Sequence, residues 1–266
     1  MLRKTIKEKI TAAASSAPPS PPSTLASTVY DRLRMDILAG ELKPGQKLRI
    51  EFLGKHYHTG HIPLREALNR LSADGLVEHR DQRGFRVTAV SATDLADITK
   101  ARCIVECAAL QESIKAHTAE WEEGLVIAYH RLSRTPRSIS SDRYKANPAW
   151  EPLHREFHRA LISGCGSRWM LNFCMQLADQ SYRYRQVAFT HAFPLGNDTD
   201  RHRAIMQAAI DGDADKAVQL LRAHLGFTAR TVISKNDTLV DTTSDTTSKI
   251  KKTVITRSRK KKELVR

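Results

Sequence analysis

The sequence has few cysteines, few aromatic residues and no long apolar run. Its 266 residues include four cysteines, and aromatic residues make up 6% of the chain. Four cysteines are too few for a disulfide framework in a chain of this length, which favours a reducing compartment such as the cytoplasm. No apolar run approaches the roughly 18 to 20 residues that a membrane-spanning helix needs, so we do not expect a membrane protein.

The chain carries an excess of positive charge, much of it in one segment. It has 43 Lys and Arg against 29 Asp and Glu, a formal net charge of +14. Residues 249–266 hold nine Lys or Arg and one Glu, which gives this segment a charge of +8. We predict a disordered basic tail over residues 236–266, which either attracts phosphate groups or is only a solvated terminus. Residues 1–24, rich in Ala, Ser and Pro, predict a disordered leader, with a targeting presequence as the alternative.

Residues 25–91 have the pattern of a winged helix-turn-helix. An apolar stripe predicts a first helix that ends at Gly40, and RIEFLGKHY predicts a short second helix. Pro63 opens a third helix, PLREALNRLSADG, which ends at Gly75. Two β-branched runs around a polar turn predict a hairpin. Three helices followed by a hairpin predict a DNA-binding domain whose third helix enters the major groove.

Basic and amide side chains lie on the third helix and on the hairpin. Arginine suits guanine edges and phosphates, and asparagine or glutamine suits adenine. The predicted DNA-contacting residues are Arg49, His61, Arg65, Asn69, Arg70, Gln82, Arg83 and Gly84. The alternative is a small structural domain with ordinary surface charge.

Three segments, ILAGELKPGQKLRIEFL, PLREALNRLSADGLV and RGFRVTAVS, resemble the DNA-binding domain of the GntR family of bacterial transcription regulators. Members usually carry Ser-Arg-Thr before the proline, whereas this chain has Gly60-His61-Ile62 and so lacks that side-chain cap. HYHTGHIPLREAL is closer to the carbon-starvation-induced regulator branch. A regulator of this kind is expected to bind a palindromic operator of double-stranded DNA as a homodimer.

Residues 92–235 predict a second domain of six helices without a strand. Apolar residues recur at helical spacing, and Asp213 is a good cap for the last helix. Arg102 and Glu106, four residues apart, can pair on one helix face. The predicted fold is therefore mainly α, with a C-terminal all-α antiparallel helical bundle behind the winged helix-turn-helix.

The stretch PLHREFHRAL places two histidines four residues apart. At about 100° per residue, His158 lies about 40° from His154, so both rings share one helix face. A zinc peptidase has its glutamate one residue after the first histidine, but Glu156 comes two residues after and points about 200° away. This geometry excludes the peptidase.

Two further histidines, His202 and His224, lie on the last two predicted helices. Three or four imidazoles that meet inside a bundle form a plausible transition-metal site. A single histidine on a helix is more often a surface residue or a satisfied core residue, and spacing alone leaves this alternative open.

LHREFHRALI and RHRAIMQAAIDGDADKAVQLLRAHL, with the earlier KARCIVECAAL, resemble the FCD effector domain of the FadR subfamily. The resemblance implies that His158, His202 and His224 are metal ligands, and His154 stands where the family has an aspartate. The implied cofactor is a divalent transition metal, with zinc first and nickel or manganese as alternatives. The missing carboxylate makes the site less negative, which favours an anionic ligand.

The same resemblance implies a small carboxylate effector. Arg102 matches the family's arginine on the first helix of the domain, and Arg183 or Arg185 is placed in the same bundle interior. Arginine can clamp a carboxylate through two hydrogen bonds, although Arg102 has the alternative of pairing with Glu106. The expected function is a cytoplasmic transcription regulator, a repressor rather than an activator, and not an enzyme. The alternatives are a metal-dependent hydrolase with a DNA-binding head and an architectural DNA-binding protein that uses its basic tail.

Overall fold

The computed structural model describes residues 24–140, 142, 145–188 and 198–234. Apart from Thr24, the predicted leader lies outside these residues, and so does the predicted basic tail. The fold is mainly helical, as predicted, with one small sheet near the N-terminus. Across the described part of the chain, none of the helices combines the length and apolarity that a bilayer crossing demands.

The first domain is a winged helix-turn-helix. Its helices and strands are α1 (Leu25–Ala39), β1 (Lys47–Leu48), α2 (Ile50–Tyr57), α3 (His61–Ala73), β2 (Val77–Arg80) and β3 (Gly84–Val87). Thr24 caps α1 through its side chain, and Gly40 ends the helix in the left-handed conformation that glycine favours. Leu33, Leu53 and Leu68 lie in the fully buried core of this domain.

Two details of the first domain differ from the prediction. The antiparallel sheet has three strands in the order β1-β3-β2, because Lys47 and Leu48 pair with Arg86 and Phe85. Helix α3 begins at His61, two residues before Pro63. Proline is tolerated there because the first amide groups of a helix have no partner within the helix.

The second domain is a bundle of six helices within the described residues. They are α4 (Ala92–Ala116), α5 (Ala119–Ser133), α6 (Trp150–Ile162), α7 (Arg168–Ala188), α8 (Asp198–Ile210) and α9 (Ala214–Ser234), with a 3-10 turn at Ser163–Cys165. Asp213 accepts a hydrogen bond from the amide of Lys216 and caps α9, as predicted. Leu110, Leu125, Phe157 and Leu161 belong to the buried core, and α4 packs against both α7 and α9.

Helix α7 contacts both domains. It packs against α4 in the bundle and against α1 in the winged helix-turn-helix. Tyr182 packs on the core of the first domain, whereas Tyr184 is buried beside Leu95 and donates a hydrogen bond to Asp94. Both tyrosines are therefore packing residues.

Candidate metal centre and nucleic-acid interface

Four histidines meet in the interior of the bundle. His154 and His158 come from α6, His202 from α8 and His224 from α9, and all four side chains are buried. Each offers one ring nitrogen, and these four atoms all lie within 4.8 Å of one another. Three helices thus bring together residues that are 70 positions apart in the sequence.

The distances between the rings suit a metal ion. The Nε2 atoms of His154 and His158 are 3.2 Å apart. Two nitrogens that bind one tetrahedral ion at about 2.0–2.1 Å stand roughly 3.3 Å apart, so this pair already has the required separation. The Nδ1 atom of His224 is buried and has no hydrogen-bond partner. A bound metal ion would satisfy this nitrogen.

The protonation of these imidazoles also suits metal binding. Burial lowers the pKa of His154, His158 and His224 well below the usual histidine value, and the neighbouring imidazoles and arginines lower each pKa further. A lowered pKa keeps each ring neutral at physiological pH. A neutral imidazole is the form that binds a metal ion.

A largely buried ion pair lies beside His154. Glu151, one helical turn earlier, accepts a hydrogen bond from Arg185 and has a carboxylate oxygen 3.8 Å from His154 Nδ1. Burial raises the pKa of Glu151, and Arg185 opposes that rise. Glu151 was not predicted from the sequence, although its position three residues before His154 on one helix face was a usable signal.

Arg102 forms the ion pair that the sequence allowed. Its Nε donates to Glu106 Oε1 at 2.6 Å, and a second nitrogen donates to Ser181 Oγ at 3.1 Å. Both charged side chains are buried. Arg102 also borders the small cavity beside the histidines. Its position is therefore compatible with both roles suggested for it, the ion pair with Glu106 and the binding of an effector.

Three arginines border this cavity, and each is already paired with a carboxylate. The lining residues are Arg102, His154, Arg155, His158, Met175, Ala178 and Arg185. The volume is about 10 Å³, room for about one water molecule. Arg155, which the sequence analysis missed, forms an ion pair with Asp179 on α7.

Asp179 connects this cavity with the first domain. Its carboxylate pairs with Arg155 of α6 and also with Arg34 of α1. Nothing in the spacing of these three residues along the chain indicates that they are neighbours. The contact depends on how α7 lies across the two domains.

Arg183 does not border the cavity. Its guanidinium donates to the backbone oxygen of Thr88, just after the wing, and to the side chain of Gln180. Arg183 and Arg185 are two residues apart on a helix and therefore point in different directions. Of the three arginines suggested for the effector, Arg102 and Arg185 lie beside the histidines and Arg183 lies at the junction of the domains.

Glu156 faces solvent, as the helical geometry predicts. Its side chain is 45% exposed and pairs with Arg131 of α5. It is therefore turned away from the four histidines. The structure thus agrees with the exclusion of a zinc peptidase.

The eight suggested DNA-contacting residues are all exposed on the first domain. Arg49 precedes α2, the residues His61, Arg65, Asn69 and Arg70 lie on α3, and Gln82, Arg83 and Gly84 lie at the tip of the wing. Arg70 is held against α1, where it stacks over Tyr30 at 4.3 Å and donates to Ser27. Arg70 is thus more constrained than Arg65 or Asn69.

Two protein-family models match the chain. The model described as bacterial regulatory proteins, gntR family, matches residues 25–87, and the FCD domain model matches residues 97–227. The first covers the winged helix-turn-helix, and the second covers most of α4, all of α5 to α8 and most of α9, with all four histidines.

Curated relatives align with most of the chain. The uncharacterized HTH-type transcriptional regulator BphR of Paraburkholderia xenovorans is 38% identical over 82% of this chain and 89% of its own length. The HTH-type transcriptional repressor GlaR of Escherichia coli is 34% identical over 74% of this chain and 90% of its own length. These relatives are transcription regulators and not enzymes.

Solved structures share the fold. Escherichia coli McbR/YncC superimposes with a TM-score of 0.66 at 18% identity, over 79% of this chain and 98% of that one. A GntR regulator from Rhodococcus sp. RHA1 gives 0.62 at 22% identity over the same shares. With the family models and the curated relatives, the helix order and the wing lead to one conclusion: this chain is a DNA-binding transcription regulator of the GntR family, with an FCD domain behind its winged helix-turn-helix.

Proposed function

We propose that the protein is a repressor whose affinity for its operator is controlled by a small carboxylate bound at a metal centre. The proposal depends on one observation, the convergence of four buried imidazoles next to arginines. His154, His158, His202 and His224 would hold a divalent transition metal, with zinc first and nickel or manganese as alternatives. When bound, the ion would supply positive charge that attracts a carboxylate. The relative GlaR, which is named as a repressor, supports repression rather than activation.

The cavity favours an anion but does not admit one without movement. Arg102, Arg155 and Arg185 face it, and no ligand carboxylate comes from position 154, where this chain has histidine. The three arginines are held by Glu106, Asp179 and Glu151. Because the cavity has room for about one water molecule, a carboxylate would enter only if arginine side chains or α7 shift. A ligand that prefers the shifted arrangement stabilises it.

Helix α7 is the element that would carry this shift to the DNA-binding domain. Its residues Met175, Ala178 and Arg185 face the cavity. On the other side Asp179 pairs with Arg34, and Gln180 donates to the backbone oxygen of Asp74 at 2.8 Å. A movement of α7 would therefore change the position of the recognition helix relative to the bundle. This is allostery in the sense of different ligand affinities for two arrangements.

A homodimer on a palindromic operator completes the proposal. One winged helix-turn-helix reads one half-site, so two copies are needed to read two half-sites related by a twofold axis. A change in the separation of the two DNA-binding domains would then alter operator affinity. Since its target is the bacterial chromosome, we place the protein in the cytoplasm.

The hydrolase alternative finds no support. Glu156 faces solvent and pairs with Arg131, and Glu151 is engaged with Arg185. Neither carboxylate is placed to act as a general base. The family and its curated members are regulators.

The proposal is tested on full-length protein loaded with Zn²⁺. A panel of mono- and dicarboxylates is screened by thermal shift, since a ligand of the native state raises the melting temperature. We expect at least one acid to raise it and to release an operator selected from random duplex DNA. If none does, control by a carboxylate is wrong.

A double variant tests the metal centre itself. We expect His202→Ala with His224→Ala to lose the metal, measured by mass spectrometry of the purified protein, and to lose the response to acids. The matched control is His130→Ala, because His130 is an exposed histidine on α5 outside the centre. Unchanged metal content in the double variant would show that the ligands are placed wrongly.

A further inference from the structure

The recognition helix α3 has an apolar residue in the middle of its exposed face. Leu64, Ala67, Leu68 and Leu71 face the core of the first domain and are fully buried. On the opposite face, at about 100° per residue, Arg65 and Asn69 lie about 60° and 20° from Ile62. Ile62 therefore stands among the polar side chains suggested for base contacts.

Ile62 is exposed to an unusual degree. Its residue surface is 82% exposed, more than any other large hydrophobic residue in the described parts of the chain. Single exposed apolar residues are common on protein surfaces and need no explanation by themselves. The first turn of a recognition helix is a special place, however, because its residues reach base edges in helix-turn-helix complexes.

Gly60 is a second observation at the same helix end. It precedes α3 and makes no side-chain cap, and its φ of −74° is available to any residue. A Cβ at this position would meet only Pro63 Cδ, at an ordinary 3.9 Å. Neither the backbone nor the packing of the protein requires glycine here. Glycine does permit close approach of an external backbone, such as a DNA strand.

We propose that Ile62 is a specificity-determining residue that contacts the C5 methyl group of a thymine in each half-site. The side chain of Ile62 neither donates nor accepts a hydrogen bond, so it distinguishes bases only through apolar contact. Thymine is the base that presents a methyl group in the major groove. The operator therefore carries thymine opposite Ile62 and disfavours cytosine, a pyrimidine without that methyl group. This inference requires DNA binding but neither the metal nor the carboxylate.

The test replaces thymine by uracil in the operator. Full-length protein first selects its operator from random duplex DNA, and each thymine is then replaced by deoxyuridine, which removes only the methyl group. Burying one methyl group corresponds to about fourfold in affinity for one half-site and roughly 15-fold for both. For the wild-type protein, we expect this loss of affinity when uracil replaces thymine at one symmetric pair of positions. For Ile62→Ala, the same replacement should cause no further loss of affinity.

The matched control is Ile104→Ala. Ile104 is 62% exposed on α4, in the other domain, and this variant should keep the full sensitivity to uracil. Because Ile62 is exposed, Ile62→Ala should unfold at the wild-type temperature. Equal binding of thymine and uracil operators by the wild type overturns the inference. The inference is also overturned if Ile62→Ala still binds the uracil operator more weakly than the thymine operator. A variant that changes only its oligomeric state, measured by light scattering, overturns the inference as well.

Discussion

Arg102 is held in position before any ligand binds. It pairs with Glu106 at 2.6 Å inside the bundle and also donates to Ser181 on α7. A buried pair of this kind adds little net stability, but the removal of one partner leaves an uncompensated buried charge. Arg102 can therefore form this ion pair and also take part in ligand binding. Two variants distinguish its structural role from its role in ligand binding.

We expect Arg102→Leu to lower the free energy of unfolding by about 3–5 kcal/mol, because Glu106 is left buried without its partner. The double variant, Arg102→Leu with Glu106→Leu, should recover most of this loss. Urea unfolding followed by circular dichroism measures both. If the folded double variant still binds the carboxylate as tightly as wild type, Arg102 has a structural role only.

Arg65 has the exposure and the helix position of a base-reading residue. Arg65→Ala should weaken binding to the specific operator by about 1–3 kcal/mol, since a bidentate contact to guanine contributes about this much discrimination. Fluorescence anisotropy against specific and scrambled DNA measures the loss. Arg159→Ala, which removes an exposed arginine on α6, is the matched control. Equal operator footprints for Arg65→Ala and wild type would remove Arg65 from the recognition set.

At the level of elements, α7 is the connection that we propose between ligand and DNA. Helix α7 presents Asp179, Gln180 and Arg183 to the first domain, and it presents Arg185 and Ala178 to the cavity. One rigid helix with these two faces can transmit a small displacement. The ion pair between Arg34 and Asp179 is one contact at which the proposed transmission can be interrupted.

Asp179→Asn should keep the shape of the side chain and weaken both of its ion pairs. We expect carboxylate binding, measured by thermal shift, to persist. The carboxylate should, however, change operator affinity by less than the factor of about 5 to 150 that is typical of allosteric coupling. Asp211→Asn, an exposed position just after the end of α8, is the control and should retain the full coupling. Unchanged coupling in Asp179→Asn would show that α7 communicates through other contacts.

At the scale of the whole molecule, positive charge and specific recognition lie in different segments. Residues 249–266 have a net charge of +8, whereas the recognition helix lies near the other end of the chain. Phosphate attraction contributes affinity that depends on salt but carries no sequence information. The segment should therefore strengthen binding to any DNA without selecting an operator.

Deletion of residues 249–266 should reduce the slope of log K against log salt and leave operator preference intact. Anisotropy titrations at several salt concentrations, with operator and scrambled DNA, measure both quantities. An architectural protein that binds through its tail would instead lose specific binding on deletion. That result would also contradict recognition by α3.

The pairing of His154 with His158 and the exposure of Glu156 could be predicted from the sequence because a single helix has a fixed geometry of about 100° per residue. The Arg102–Glu106 pair was predictable for the same reason. Spacing alone left the participation of His202 and His224 open, because they lie on two other helices. The positions of Arg155 and Arg183 were not predictable, since each depends on which neighbouring helix its side chain meets.

The sequence by itself determined the order of the helices, the hairpin of the wing and the shared face of the two histidines on α6, because these follow from periodicity and turn residues, and its motifs resembled those of the family. Only the tertiary structure decided that four imidazoles from three helices converge, that Arg185 lies beside them while Arg183 does not, and that Asp179 joins Arg155 to Arg34. These contacts arise from the packing of helices that are distant along the chain. Packing depends on the fit of whole surfaces, which no local pattern encodes.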